Sequence, residues 1–212
     1  METKIVKAAD RRRHWDDIYA TKPETGVSWF EAEPAVSLAL IERAELPLSA
    51  HIIDIGAGAS LLADALLDAG YENLTLLDLS PTALDCVRRR LGDKAGRLTF
   101  VAADITRWVP DRIYDLWHDR AVLHFLVEEE GRAAYRRSLI AATRPGSQAI
   151  IATFAPSGPQ QCSGLPVRRY GRDELARFLG DEFRIVESFE RDHTTPWGSM
   201  QRFHFARAQR LA

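Results

Sequence analysis

Gly56 and Gly58, with Asp54 two residues ahead of them and Asp78 twenty residues beyond, have the types and spacing that could hold a nucleoside. An apolar strand pattern over 51–55 runs into the two glycines and then into a helical pattern over 60–69. Glycine lacks the Cβ that would keep a ligand off the backbone, and it accepts the φ values of a tight strand-to-helix turn. A second apolar run, 74–77, ends at Asp78. A carboxylate at the end of the next parallel strand can accept two hydrogen bonds from a ribose diol. A dinucleotide fingerprint would need Gly or Ala at 61, where this chain has Leu61. Asp54 is a poor neighbour for a diphosphate and a good one for a cationic amino group, so the pattern favours a phosphate-free, partly cationic nucleoside.

The segments Asp54-Ile-Gly-Ala-Gly58, Leu77-Asp78, Ala103-Asp104 and Arg144-Pro-Gly146 carry a resemblance to the class I S-adenosylmethionine-dependent methyltransferases, over roughly residues 34–206. That resemblance implies S-adenosylmethionine as cofactor. Asp54, Gly56 and Gly58 would then face its amino acid end, Asp78 and Leu79 its ribose, and Asp104 and Ile105 its adenine, with Asp119 also close to it. Each assignment has a plainer competitor. Asp54 can brace the glycine turn, while Asp78 and Asp104 can cap a helix or turn.

The sequence Asp115-Leu-Trp-His-Asp-Arg120-Ala-Val-Leu-His124 concentrates ionisable groups where the fourth strand is expected to end. In open α/β sheets the ligand crevice lies outside the carboxyl ends of the strands, which puts His118, Asp119 and Arg120 at its rim. His118 or His124 could take a proton from the methyl acceptor and Asp119 could orient it. The competing reading makes these histidines hydrogen-bonded structural residues and pairs Arg120 with a carboxylate. Methyl transfer from a sulfonium asks mainly for positioning and exclusion of water, so covering segments matter as much as a base. Two are candidates: the aromatic stretch from His14 to Phe30, including Trp29, and the Pro- and Gly-rich loop 155–169. His193 and Trp197, between the last two strands, are further acceptor-site candidates.

These residues need a doubly wound sheet to position them. Strands are expected at 51–55, 73–78, 98–102, 114–117 and 148–154, with helices at 34–44, 60–69, 81–91, 132–143 and 173–179. Ser80 and Pro81 mark one helix start, and Gly92 its end. The last two strands, 183–189 and 200–206, are too close for a crossover helix and should form an antiparallel pair. The expectation is an α/β, seven-stranded, Rossmann-like sheet in a single domain, with residues 1–45 as an N-terminal lid or helical segment and 46–207 as the core.

A chain of 212 residues with 46% hydrophobic content is enough for one such core. A net charge of −2 offers no basic footprint for nucleic acid or an anionic membrane, and the arginine runs at 11–13 and 88–90 read as solvated faces. Cys86 and Cys162 are too few for a disulfide framework or a zinc site, so no metal is expected. No apolar run approaches membrane-spanning length and residues 1–10 lack a signal peptide's hydrophobic region, which makes a cytoplasmic setting the default. The partner is a small-molecule or protein acceptor, with the small molecule preferred. Two other classes stay open: a nicotinamide-dependent oxidoreductase, disfavoured by Leu61 and Asp54, and a catalytically silent nucleoside-binding module.

Overall fold

Strand β5 (Gln148–Phe154) is buried at every position, as a run apolar on both faces must be, and it anchors the middle of a seven-stranded sheet. Residues 8–211 are described by a computed structural model. The signal-peptide expectation for residues 1–10 falls mostly outside them. Beside β5 lie β4 (Leu116–Arg120), β1 (His51–Ile55), β2 (Asn73–Asp78) and β3 (Leu98–Ala102), all parallel, in the order β3-β2-β1-β4-β5. A hairpin, β6 (Gln161–Cys162) and β7 (Leu165–Pro166), stands apart from that sheet. The sheet is completed by β8 (Phe183–Thr194) and β9 (Met200–Arg210), with β9 antiparallel to both β5 and β8. This is the expected Rossmann-like α/β sheet. The chain steps outward from β1 to β3 and returns to β4 beside β1, so the crevice opens at the carboxyl ends of β1 and β4.

Strand alternation sorts the side chains into two layers. Ile52, Leu74, Leu116 and Ile150 pack with α2 (Ala35–Glu42) and α3 (Leu62–Asp68), while Leu76 packs with α4 (Pro81–Leu91). Ile53, Trp117, Ile151 and Ala206 pack on the opposite face with α5 (Glu129–Ala141) and α6 (Arg172–Leu179). The remaining helix, α1 (Ala8–Thr21), lies at the carboxyl end of the strands. There Arg11 reaches Asp104 and Asp16 accepts a 2.6 Å hydrogen bond from Ser80 Oγ. The same Ser80 Oγ accepts from Ala83 N, closing the expected cap of α4, and Gly92 ends that helix with φ 55°.

The fourth strand departs most consequentially from expectation. It runs from Leu116 to Arg120 rather than over 114–117, because the charged residues that looked like a loop are paired inside the protein. Helix α5 begins three residues early, with Glu129 and Glu130 in its first turn where the helix dipole favours acids. The final hairpin is longer than its apolar pattern suggested. Charged cross-strand pairs such as Arg202 with Asp192 carry it outward. The run 88–90 is not wholly a solvated face either: Arg90 bonds Glu24, Asp64 and the carbonyls of Ala59 and Ser60, tying the glycine turn to the 24–26 segment. Among the described residues no helix is long and apolar enough to cross a membrane.

Candidate functional site

The turn after β1 is built by backbone donors converging on β2. Gly56 N and Ala57 N both donate to the Leu77 carbonyl, at 2.7 and 3.1 Å, and Gly58 N donates to Asp78 Oδ2 at 2.8 Å. Asp78 Oδ1 accepts from Ser80 N at 2.7 Å, so one carboxylate stitches the turn after β1 to the turn after β2. Burial pushes Asp78 up to about 6 despite these two bonds. Both glycines have positive φ, 66° and 55°. Neither has room for a side chain: a Cβ at 56 would lie 2.0 Å from Val122 Cγ2, and one at 58 would lie 2.4 Å from the Tyr19 hydroxyl.

Two cavities flank this turn. The larger encloses about 900 Å³ of space open on one side, and it has two halves. Ile55, Leu77, Asp78, Leu79, Asp104 and Ile105 form one, an apolar slot with a carboxylate at the end of β2 and another after β3. Asp104 Oδ1 accepts from Thr106 N and Thr106 Oγ1, the turn-capping role, while Oδ2 faces Arg11 at 3.4 Å. The other half is aromatic, walled by Trp15, Trp29, Phe125 and Phe203, with Arg120, Cys162 and Gln201 among them. The second cavity is smaller, about 590 Å³, and has Asp54, Ser37, His118 and Glu31 on its walls. Tyr19, Trp29, Gly56 and Arg120 line both and form the partition.

Register explains the buried chain in the smaller cavity. Asp54 on β1 lies directly beside His118 on β4, and both point toward α2. His118 Nδ1 lies 2.7 Å from Asp54 Oδ1 and Nε2 2.9 Å from Ser37 Oγ, both within hydrogen-bond reach. Both ring nitrogens are therefore occupied, and His118 holds Asp54 in place instead of facing the aromatic half as a base.

Asp119 and His124 are corrected as well. Extending β4 to Arg120 turns Asp119 to the opposite face, where Oδ1 accepts from Val122 N and Oδ2 from Leu123 N and the Tyr135 hydroxyl. Its carboxyl lines neither cavity. Burial raises it to about 6 against those bonds. It braces the 121–125 turn. His124 is sealed between Phe125 and Phe154, with ring centroids at 4.4 and 4.8 Å, and neither ring nitrogen has a partner. Burial, aided by Arg120, lowers it to about 3, so it stays neutral and out of contact with an acceptor. His193 sits behind the site, its Nε2 2.6 Å from the Ser28 carbonyl and its Nδ1 3.6 Å from Glu31. Trp197 is 60% exposed at the end of the β8–β9 hairpin and lines neither cavity. Of the acceptor candidates, only Trp29 faces the larger cavity. Cys162 on β6 belongs to the expected covering loop 155–169, whereas Gln201 and Phe203 on β9 were not foreseen. The only hint in the sequence was that an antiparallel β9 begins at the end where the parallel strands finish.

The His124 environment gives a signed expectation. A histidine of pKa about 3 when folded and near 6.5 when unfolded contributes stability that is complete above pH 6.5 and lost as pH falls toward 3. His124→Leu removes an unpaired buried polar ring at similar volume and should leave stability at pH 7 equal or higher. Its advantage over the parent should then grow by roughly 1.4 kcal/mol per pH unit between pH 6 and 4. Urea denaturation of both proteins across that range is the check, and parallel curves would contradict the buried neutral imidazole.

Residues 52–146 match the methyltransferase domain family. A curated relative, the EEF1A lysine methyltransferase 2 of Mus musculus, is 31% identical over 88 residues, 38% of this chain and 36% of that protein. The trans-aconitate 2-methyltransferase of Acidovorax sp. is 31% identical over 156 residues, 69% of this chain and 56% of that protein. The chain thus spans from about a third to just over half of these relatives' lengths. Among solved structures, the Burkholderia thailandensis 1,6-didemethyltoxoflavin-N1-methyltransferase with bound 1,6-didemethyltoxoflavin and S-adenosylhomocysteine superposes with a TM-score of 0.70. It is 18% identical, and the match covers 100% of this chain and 94% of that one.

Proposed function

We propose that this chain, whose residues 52–146 match a methyltransferase domain, uses S-adenosylmethionine to methylate a small molecule. The observation that carries the reading is the carboxylate of Asp78, held by Gly58 N and Ser80 N at the mouth of a slot lined with apolar side chains. The residues present fit the cofactor. Each Asp78 oxygen accepts one backbone bond and keeps capacity for a ribose hydroxyl, while Leu79 and Ile105 supply walls for a flat base and Asp104 an acceptor for its amino group. Asp54, fixed by His118, gives the smaller cavity a carboxylate suited to an ammonium, beside the close-fitting backbone of Gly56 and Gly58. When bound, S-adenosylmethionine supplies a methyl group already activated on a sulfonium.

The residues of this chain bind, align and keep water out. Tyr19 and Trp29, 6.2 Å apart edge to face, cover the turn from the side of α1, and Trp15 continues the cover to Phe125. Alignment in an apolar cleft that the substrates fill and close to water supplies much of the acceleration such a transfer needs. The similar proteins named above include one named for a protein lysine and one for a small acid. We favour the small molecule because the acceptor half is a walled chamber rather than an open groove. Both cysteines are free and buried, which suits a reducing compartment such as the cytoplasm.

Calorimetric titration with S-adenosylhomocysteine and with NAD tests the reading: the first should bind and the second should not. The pH dependence adds a signed check. For a carboxyl raised to about 6, the stability contribution is present below its unfolded value near 4 and is lost as pH rises through 6, since the buried charge is unfavourable. Ribose hydroxyls donate to the ionised form, so S-adenosylhomocysteine affinity should rise with pH, by up to about tenfold per unit below the pKa, and level off above 7. A flat profile between pH 5 and 7 would remove Asp78 from the ribose.

A further inference from the structure

Arg120 brings a guanidinium into a chamber whose aromatic half, among the described residues, holds no group able to take a proton. It stacks over Phe203, with its carbon 5.0 Å from the ring centroid. Nη1 donates to the Trp29 carbonyl and Nη2 to Glu31 Oε1, both at 3.0 Å, which fixes the group from behind. Nε is buried, as is Gln201 Oε1 on the neighbouring wall, and among the described residues neither has a partner. Among the described residues, the carboxylates on the larger cavity are Asp78 and Asp104, and they lie in the half assigned to the nucleoside. His118 is held between Asp54 and Ser37, His124 is sealed among phenyl rings, and Asp119 faces α5. Cys162 shares the chamber, but burial pushes its thiol up to about 11, so it is neutral at pH 7.

These surroundings discriminate between acceptors by charge. A protonated amine would need a base to take its proton and a negative field to draw it in, and the aromatic half supplies neither. We infer that the acceptor is a small planar acid that enters as its carboxylate, is paired with Arg120 and is flanked by Trp29, Phe125 and Phe203. The inference rests on the methyltransferase reading and names its substrate class. A planar guanidinium matches a carboxylate better than a point charge does, and the rings accept a flat body. The balance of the step also fits. A carboxylate oxygen forms a bond to the methyl carbon as the carbon–sulfur bond breaks with its electron pair on sulfur. The anion and the sulfonium cation become a neutral ester and a neutral thioether, and no proton is moved. Loss of opposite charges is favoured in an apolar chamber that excludes water.

The test uses the whole chain saturated with S-adenosylhomocysteine and titrates benzoate, benzamide and benzylamine, probes of one shape and three charges. Benzoate should bind at least about tenfold more tightly than either of the others. Arg120→Gln should weaken benzoate at least about tenfold, and by a larger factor than it weakens S-adenosylhomocysteine, with circular dichroism unchanged. Benzylamine binding as well as benzoate, no benzoate binding up to ~10 mM, or an unaltered benzoate affinity in Arg120→Gln would each overturn the inference. Loss of S-adenosylhomocysteine binding in that variant with benzoate retained would also overturn it, by moving Arg120 to the cofactor. Should Arg120→Gln fail to fold, the charge series on the parent protein still decides. Failure of the parent to bind S-adenosylhomocysteine strikes the methyltransferase reading instead, so the two failures are told apart.

Discussion

Asp119→Ala should destabilise the protein by on the order of 3–9 kcal/mol, because it leaves two buried donors and one part-buried donor without an acceptor at a cost of roughly 1–3 kcal/mol each. Those donors are Val122 N at 2.7 Å, Leu123 N at 3.0 Å and the Tyr135 hydroxyl at 2.6 Å. Against a total of about 5–15 kcal/mol, a loss of that size leaves a protein close to unfolding. Tyr135 also accepts from Trp117 Nε1 at 2.9 Å, so the network joins β4 to α5. Asp119→Asn keeps one acceptor oxygen and should lose less. Urea denaturation at pH 7 measures both, and a midpoint unchanged in Asp119→Ala would show that the 121–125 turn does not depend on this carboxylate.

Gly56→Val should abolish S-adenosylhomocysteine binding. The new Cβ would meet Val122 Cγ2 at 2.0 Å, and φ at 56 is 66°, a conformation that a β-branched residue resists. The turn must shift, and Gly56 and Ala57 lose their shared bonds to the Leu77 carbonyl. Two causes are separable. In Gly56→Ala, adding Val122→Ala relieves the contact but leaves the backbone strain, so stability should recover in part while Gly56→Ala alone stays lower. A folded Gly56→Val protein, judged by circular dichroism, that binds the ligand normally in calorimetry would disprove the placement of the turn.

The glycine turn and Asp78 were legible because local rules act on them: a strand pattern, two residues without Cβ, and a carboxylate at the next strand end. Asp119 was misjudged because ending β4 at residue 117 hid the two-residue alternation that sends Arg120 and Asp119 to opposite faces. His118 looked reactive in sequence because its partners, Asp54 and Ser37, are 64 and 81 positions away. Trp197 looked like a wall residue because type alone cannot tell a hairpin tip from a chamber. Gln201 and Phe203 were invisible for the opposite reason: only the pairing of β9 with β5 brings them to Arg120, while Cys162, within the expected covering loop 155–169, reaches it through the 161–166 hairpin.

The insertion of an antiparallel strand next to β5 divides the inheritance of the larger cavity. Its nucleoside wall comes largely from residues 55–79 and 103–105, whereas its aromatic wall comes from 15–29, 120–126, Cys162 and the start of β9. Each wall is therefore written in different stretches of the gene. Recombination or directed evolution confined to residues 156–203 can reshape part of what the chamber admits without rewriting the strands that carry Gly56, Asp78 and Asp104, which makes the hairpin a natural graft point for retargeting the fold.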